Sequence, residues 1–234
     1  MNRYQETDKT SYSLGTSLTI ELLKQHPEKT GEVLLSQKAV KNSQLELLLE
    51  LCRNNGIPVK HDDQLIARLS VKENCYCIGI FDKYTEKAED GNHVVLYGFN
   101  DFGELGTVLR TAVSFDFKDI ILINTSLDYF DPRCIRASMG SFFHCRISSY
   151  QDLNDYLKEY PSRNLIPFVS DGDRELSDLV LTKPYSLMIS QDYTGLDHMA
   201  DIGYYLDHKK QKEISLSVRS SIILAHAYYL NLRR

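Results

Sequence analysis

Residues 100–112 read NDFGELGTVLRTA, and this stretch decides the class of fold. It follows a short apolar segment and leads into a helical pattern, predicted over residues 106–115. Gly103 and Gly106 permit a tight turn and a close approach of the backbone, and Arg110 then falls on the first turns of the helix. The glycine spacing matches neither a dinucleotide-binding nor a P-loop fingerprint. The stretch alone therefore predicts a strand, a turn and a helix that carries an arginine.

Short apolar segments alternate with helical patterns on both sides of this stretch. Strands are predicted over residues 32–36, 57–60, 76–81, 94–97, 119–123, 143–147, 165–169 and 186–189. Helices are predicted over residues 18–25, 43–54 (with Ser43 as its cap), 64–69, 132–140, 149–159 and 217–232. This alternation indicates an α/β fold with a mainly parallel sheet that is covered on both faces. Because ligands of such sheets bind beyond the carboxyl ends of the strands, chemistry is expected in the loops after Tyr97 and Ile189.

A polar stretch at residues 83–93, KYTEKAEDGNH, divides this pattern in two. Its charge and its Asp-Gly-Asn sequence are typical of a linker. The sequence therefore predicts a first domain over residues 1–84 and a second domain over residues 93–234.

The composition is that of an ordinary globular protein. Of the 234 residues, 42% are hydrophobic and 25% are charged, which argues against disorder. No apolar run approaches the roughly 20 residues that a membrane span needs, and the polar N-terminal sequence lacks the apolar core of a signal peptide. We therefore expect a cytoplasmic protein without membrane contact. The five cysteines lack the spacing of a metal site, so no metal is expected.

The net charge of −5 argues against broad, non-specific binding of nucleic acid, which draws on many Lys and Arg contacts to phosphate. A local basic patch is compatible with this charge. The candidates are residues 208–212, HKKQK, and the pair Arg233 and Arg234.

Three further segments accompany the first one. Residues 131–143 read DPRCIRASMGSFF, residues 187–196 read LMISQDYTGL, and residues 206–221 read LDHKKQKEISLSVRSS. In order and spacing, the four segments resemble the motifs of the SpoU/TrmH family of the SPOUT superfamily. The matching residues are Asp101, Gly103, Gly106, Arg110, Thr111, Ala112, the run 136–140, Gly195, Leu196, Ser215, Leu216 and Val218.

The resemblance covers essentially the whole chain. Residues 1–82 look like the small ribosomal-protein-like domain that precedes many SpoU-type catalytic domains. The resemblance therefore implies a small α/β substrate-binding domain followed by a knotted parallel-sheet catalytic domain, with a trefoil knot expected over residues 186–234. It also implies a homodimer and RNA, either tRNA or rRNA, as the partner.

The activity implied by the resemblance is the transfer of a methyl group from S-adenosylmethionine to a ribose 2′-hydroxyl of RNA. Arg110 would stabilise the developing alkoxide, because an arginine stays protonated. The other residues implied in catalysis are Glu104, Asp192, Ser215 and Ser217. The residues implied in cofactor binding are Met188, Ile189, Ser190, Gly195, Leu206 and Leu216.

Departures from the family pattern leave two alternatives open. Glu104 and Ser217 replace asparagines, Ser190 and Tyr193 replace glycines, and charged residues at 207–211 replace an apolar turn that helps to enclose the adenine. These replacements favour a catalytically inactive SpoU-fold protein that binds RNA or a partner and has lost cofactor binding. The other alternative is a SPOUT methyltransferase with a different target, such as a base, because a fold alone does not determine function.

Overall fold

The computed structural model of the chain describes residues 3–70, 74–169, 172–190, 197–206 and 214–232, with the backbone alone at 197, 198 and 200. The chain divides into two compact units, the first formed by Met1–Tyr84 with Asp128–His144 and the second by Thr85–Leu127 with Cys145–Arg234. These units differ from the predicted domains chiefly in Asp128–His144, which packs with the first unit.

Strands and helices alternate through most of the described chain. The strands are β1 (Thr10–Leu14), β2 (Thr30–Leu35), β3 (Val59–His61), β4 (Cys77–Asp82), β5 (His93–Tyr97), β6 (Asp119–Ile123), β7 (Arg146–Tyr150), β8 (Asn164–Phe168), β9 (Arg174–Glu175), β10 (Tyr185–Ser190) and β11 (Tyr204–Tyr205). The α-helices are α1 (Thr16–Gln25), α2 (Ser43–Asn54), α3 (Asp63–Leu69), α4 (Phe102–Ser114), α5 (Pro132–Ala137), α6 (Leu153–Glu159) and α7 (Leu216–Leu232). In none of the ranges above is a helix both long enough and apolar enough to cross a membrane.

The first unit is built on a four-stranded sheet in the order β1-β4-β2-β3. β4 runs antiparallel to both of its neighbours, and β3 is parallel to β2. Leu23 of α1 and Leu48 of α2 pack with Val33 of β2 in one buried cluster. A second cluster includes Ile66 of α3 and Leu34 of β2. Because successive strand residues point to opposite faces, helices cover the sheet on both sides.

β1 was not predicted, because two of its five residues are buried serines. Ser11 and Ser13 are fully buried, and Ser13 Oγ lies 2.9 Å from Thr19 Oγ1 of α1. A buried hydroxyl is tolerated when it is hydrogen-bonded. The strand therefore fits the core without an apolar alternation in its sequence.

Several predicted boundaries differ from the structure, and two of these differences have clear local causes. The cap of α2 is Asn42 rather than Ser43, since the Asn42 side chain accepts a hydrogen bond from the Leu45 N–H at 2.9 Å. β7 starts at Arg146, later than the predicted strand over residues 143–147. Phe143 instead belongs to a 3₁₀ helix, and its buried ring supplied the apolar signal that was taken for a strand.

The second unit is built on a seven-stranded sheet in the order β7-β6-β5-β10-β8-β11-β9. Every pair of neighbouring strands in it is parallel, as predicted. All five residues of β6, DIILI, are buried. Strands that are covered on both faces read as continuous apolar runs, which is why the sequence located β6 without error.

β11 lies between β8 and β9, although these two strands follow one another in the chain. Only five residues join β8 to β9. The Val169 N–H donates to the Tyr204 carbonyl at 3.0 Å, and the Arg174 N–H donates to the Gly203 carbonyl at 3.2 Å. A Cβ atom at Gly172 would lie 2.5 Å from the Gly203 carbonyl oxygen. A later part of the chain therefore runs between two strands that a short connection joins.

Candidate active site

The middle of the seven-stranded sheet is a topological switch point. β5, β6 and β7 follow one another outward on one side, whereas β8 lies on the other side with β10 inserted between β5 and β8. Ser190, the last residue of β10, is opposite Tyr97 at the end of β5. Ligands of open α/β sheets bind in the crevice beyond this kind of strand pair. The two loops that the sequence singled out therefore begin side by side.

α4 begins at Phe102, so Gly103 and Gly106 lie inside the helix. The prediction of a glycine turn before a helix over residues 106–115 is wrong, because a cap at Asp101 starts the helix about one turn earlier. Asp101 Oδ1 accepts a hydrogen bond from the Glu104 N–H at 2.7 Å. A Cβ atom at Gly103 would lie 3.1 Å from the same Oδ1, so the glycine leaves room for the cap.

Arg110 therefore falls in the third turn of α4, later in the helix than predicted. Its side chain is exposed and shares a helix face with exposed Thr107 and Ser114. The opposite face is buried and includes Leu105 and Ala112. Glu104, the other residue of α4 implied in catalysis, is half-buried in the first turn.

α4 packs against α7 and so brings the first and fourth segments together. Thr111 Oγ1, on the residue after Arg110, lies 3.2 Å from Ser221 Oγ of α7. Ser215 and Ser217 lie at the start of α7, with their hydroxyl oxygens 3.1 Å apart. The Val218 N–H donates to Ser215 Oγ at 3.4 Å, which is a weak helix cap.

The cofactor-binding residues predicted on β10 are fully buried. Met188 and Ile189 have no exposed side-chain surface, and neither has Ser190, whose hydroxyl donates weakly to the Tyr97 carbonyl at 3.4 Å. These three residues therefore offer no accessible side chain to a ligand. Leu216 is buried at the first residue of α7, and Leu206 is half-buried.

Other predicted site residues lie outside the described residues. Asp192 and Gly195 fall within residues 191–196, and the charged stretch 207–211 falls within residues 207–213. The same holds for Tyr193 and for the basic candidates 208–212 and 233–234.

The segment DPRCIRASMGSFF belongs to the first unit and has a structural role there. Ser138 is fully buried, donates to the Ile135 carbonyl at 2.7 Å and accepts from the Phe142 N–H at 3.1 Å. Gly140 has φ of 95°, and a Cβ atom there would lie 3.0 Å from Glu21 Cγ. The close packing of small residues, which the sequence indicated, accounts for this segment.

Polar residues at the ends of β6 and β7 were missed. Asn124 directly follows β6 and Gln151 directly follows β7, at the same edge of the sheet as the predicted loops. Their position after buried strands was the available signal, but only the loops after Tyr97 and Ile189 were considered. Among the side chains that the structure describes, no group of three or more His, Cys, Asp or Glu residues is placed to hold a metal ion.

Comparison with known proteins bears on the same region. Residues 91–201 match the model of the SpoU rRNA Methylase family. A 23S rRNA (uridine(2479)-2'-O)-methyltransferase of Streptomyces viridochromogenes is 24% identical over 166 residues, which cover 65% of this chain and 52% of that protein. This chain thus spans about half the length of that curated relative.

Two solved structures share the fold over nearly the whole chain. The AdoMet-bound SpoU methyltransferase AviRb from Streptomyces viridochromogenes has a TM-score of 0.81 at 14% identity, covering 97% of this chain and 92% of that chain. An AdoMet-bound rRNA methyltransferase from Sinorhizobium meliloti has a TM-score of 0.78 at 20% identity, covering 95% and 88%. This chain therefore shares the fold of these two methyltransferases. Its residues 91–201, slightly less than half of the chain, resemble the SpoU rRNA Methylase family.

Proposed function

We propose that this chain transfers a methyl group from S-adenosylmethionine to a ribose 2′-hydroxyl of RNA, in rRNA or tRNA. The observation that carries this proposal is the packing of α4, which bears Arg110, against α7, which begins beside Ser215 and Ser217. Both helices belong to the second unit, whose sheet has its switch point between the ends of β5 at Tyr97 and β10 at Ser190. The similarity to the SpoU rRNA Methylase family and the 2′-O-methyltransferase activity of the Streptomyces relative support the same reaction.

The described residues support a site for S-adenosylmethionine by their position. Met188, Ile189 and Ser190 are fully buried at the end of β10, so they form the base of the switch point rather than side-chain contacts to the cofactor. The first N–H groups of α7, from Leu216 onward, have no partner within the helix. When bound, the cofactor supplies an electrophilic methyl group on a sulfonium.

The protein's own contribution is alignment and electrostatics. A hydroxyl is a weak nucleophile, so holding the ribose in line with the methyl group removes much of the barrier. As the oxygen–carbon bond forms and the carbon–sulfur bond breaks, the hydroxyl proton leaves to water. The Arg110 guanidinium remains protonated and stabilises the charge that develops on the oxygen. Ser215 and Ser217, with Glu104 and Asp192, are proposed to orient the ribose.

The exposure of Arg110 favours a homodimer in which it serves the site of a second copy. α7 exposes large apolar side chains, namely Val218, Ile222, Tyr229 and Leu232. Apolar exposure on a helix that packs beside Arg110 is typical of a protein–protein interface. We propose that this face of α4 and α7 forms the dimer interface.

The remaining parts of the proposal concern topology and location. The position of β11 between β8 and β9 supports a trefoil knot over residues 186–234. Residues 1–84 are proposed to bind the RNA, and residues 93–234 to carry out the reaction. An rRNA or tRNA substrate favours a cytoplasmic site of action, and no metal is required by the proposed chemistry.

The test is a calorimetric titration of the full chain with S-adenosylmethionine, followed by methyl transfer to total rRNA. Alkaline hydrolysis maps the product, because a 2′-O-methyl group blocks cleavage at that position. We expect micromolar binding of the cofactor and RNA positions protected from alkali. Failure to bind the cofactor at millimolar concentration would falsify the enzymatic proposal.

The second candidate is an RNA-binding protein without activity. It is favoured by the fully buried side chain of Ser190, which stands where the family has a glycine. Glu104 in place of an asparagine adds a carboxylate near the proposed site. RNA binding without any detectable cofactor binding in the same titration would support this candidate.

A further inference from the structure

A cavity of about 550 Å³ lies at the carboxyl edge of the second unit's sheet, beyond the ends of β5, β6 and β7. It lies outside the four motif segments except at Asn100, the residue before the cap of α4. The other residues used below are Gly98, Asn124, Ser126, Ser149, Tyr150 and Gln151. The cavity therefore adjoins the helix that carries Arg110.

Two residues in the left-handed conformation shape the cavity. Gly98, with φ of 69°, follows β5, and Asn124, with φ of 52°, follows β6. The Gly98 N–H donates to the Ile123 carbonyl at 3.0 Å, and the Asn124 N–H donates to the Tyr150 carbonyl at 3.3 Å. The N–H group of each residue thus makes the last hydrogen bond to the neighbouring strand, and the chain then leaves the sheet. Glycine and asparagine are the residue types that adopt this conformation most readily.

The lining offers hydrogen bonds without charge. None of the eight described residues that line the cavity is charged. The exposed carboxamides of Asn124 and Gln151 can each donate and accept, and so can the exposed hydroxyls of Ser126 and Ser149. Phosphate groups favour Lys and Arg. The lining therefore suits an uncharged ligand that has both donors and acceptors.

Tyr150 adds an aromatic ring. Its hydroxyl donates to a carboxylate oxygen of Glu159 at 2.9 Å. Burial, together with this hydrogen bond, raises the pKa of Tyr150, so the phenol stays neutral. The ring packs edge-to-face against Tyr156, with centroids 5.6 Å apart, so Tyr150 contributes a neutral and fixed aromatic residue to the cavity wall.

We propose that this cavity receives an unpaired nucleobase of the RNA substrate, an inference that rests on the proposed function. Proteins recognise unstacked bases by hydrogen bonds to their edges and by stacking on aromatic side chains. Asn and Gln carboxamides match base edges with two hydrogen bonds. A base held here fixes the RNA at the sheet edge from which α4 departs, and so presents the backbone to the catalytic helix.

The experiment measures the affinity of the full chain, without cofactor, for a fluorescein-labelled eight-nucleotide single-stranded RNA of mixed sequence. The pocket variant combines Asn124→Gly with Gln151→Ala; glycine removes the carboxamide while keeping the left-handed backbone. A second variant, Ser149→Phe, fills the cavity. The matched control is Asn164→Ala, which removes an exposed carboxamide at the opposite, amino-terminal edge of the same sheet.

We expect both pocket variants to bind the single strand about tenfold more weakly, and the control to bind like the parent chain. The same sequence as a duplex, or with abasic positions, should bind the parent chain about tenfold more weakly as well. Circular dichroism spectra that match the parent chain establish that the variants fold.

Several outcomes overturn the proposal: parent-like affinity in both pocket variants, equal affinity for single strand and duplex, or no RNA binding by the parent chain. Binding of uridine or adenosine monophosphate as tight as that of the oligonucleotide would assign the cavity to free nucleotides instead. A parallel titration with S-adenosylmethionine separates the two proposals. If the parent chain binds the cofactor but the pocket variants keep the parent's RNA affinity, only the base pocket is ruled out. If the pocket variants bind RNA more weakly but the parent chain does not bind the cofactor, only the methylation is ruled out.

Discussion

Thr111 and Ser221 bring their hydroxyl oxygens to 3.2 Å where α4 packs against α7. Each hydroxyl also has an acceptor in its own helix, the Thr107 carbonyl at 3.0 Å for Thr111 and the Ser217 carbonyl at 2.7 Å for Ser221. Since each hydroxyl has one proton, the link between the helices competes with bonds inside them. The pair connects the helix of Arg110 to the helix that begins beside Ser215.

Removing the contact between Thr111 and Ser221 should destabilise the second unit. The effects of the two substitutions on stability should not be additive. Thr111→Val and Ser221→Ala are each expected to lower the free energy of unfolding by about 1 kcal/mol. The double variant should lose less than the sum, by about 0.5 kcal/mol or more, because the two groups contact each other. Urea unfolding followed by circular dichroism measures these values. Thr107→Val is the control, since the Thr107 hydroxyl donates to the Gly103 carbonyl of its own helix; strict additivity of the pair contradicts the link.

Arg110→Ala should reduce methyl transfer without reducing cofactor affinity. Loss of one donor that stabilises a developing oxyanion costs about 100-fold to 1000-fold in rate. Initial rates with radiolabelled S-adenosylmethionine and total rRNA, together with calorimetry, measure both quantities. Lys158→Ala, at an exposed cation in the last turn of α6, is the control and should keep the parent rate. A parallel fall in cofactor affinity would assign Arg110 to binding rather than to catalysis.

Gly172→Ala should destabilise the second unit strongly. The added Cβ atom would lie 2.5 Å from the Gly203 carbonyl oxygen, and backbone cannot move aside as a flexible side chain can. We expect a loss of about 2 kcal/mol or more in the free energy of unfolding. The control is Gly91→Ala in the same unit, where the new Cβ would meet Asp119 Oδ2 at an ordinary 3.4 Å. Equal urea midpoints for the two variants would contradict the close crossing at Gly172.

His93 should make the second unit less stable as the pH falls. The side chain is fully buried, with Nδ1 2.9 Å from the Tyr156 hydroxyl and Nε2 2.7 Å from the Glu89 carbonyl. Burial lowers the pKa of His93 below its ordinary value of 6.5. The unfolded chain therefore binds a proton at a higher pH than the folded chain does. The stability that neutral, buried His93 contributes is fully present above pH 6.5 and is lost as the pH falls below that value.

The measurement is urea unfolding between about pH 7.5 and pH 5.5, a range centred on the ordinary histidine value. His93→Gln should flatten the fall in stability toward low pH, since glutamine does not titrate. His61→Gln, at an exposed position on β3, should keep the slope of the parent chain. If His93→Gln also keeps that slope, another group is responsible for it.

The sequence predicted the bounds of an element correctly where the element is buried on both faces or where nearby residues determine its ends. β6 is found at its predicted bounds because the four residues after Asp119, IILI, form one apolar run. α2 is found at its predicted bounds because its apolar stripe and its ending are local, whereas its cap is one residue away from the predicted one. β1 was missed because Ser11 and Ser13 are satisfied by hydrogen bonds that come from elsewhere in the fold.

The site follows the same division. The sequence proposed Arg110 and the Ser215–Ser217 pair as site residues from motif resemblance, but it placed Arg110 too early in the helix, because the cap at Asp101 starts α4 earlier. The polar cavity beside Asn124 and Gln151 was not visible in the sequence. Its members are close only because β6 and β7 end at the same level of the sheet.

By itself, the sequence determined the alternation of strands and helices, the parallel sheet and the segments that resemble the motifs of SpoU-type proteins. These properties rest on local patterns of polarity and on residue types at fixed spacing. Only the tertiary structure decided that α4 and α7 meet at Thr111 and Ser221, and that β11 lies between β8 and β9. Such relationships depend on contacts between residues that are far apart in the chain. Packing and hydrogen bonding select those contacts only once the whole sheet has formed.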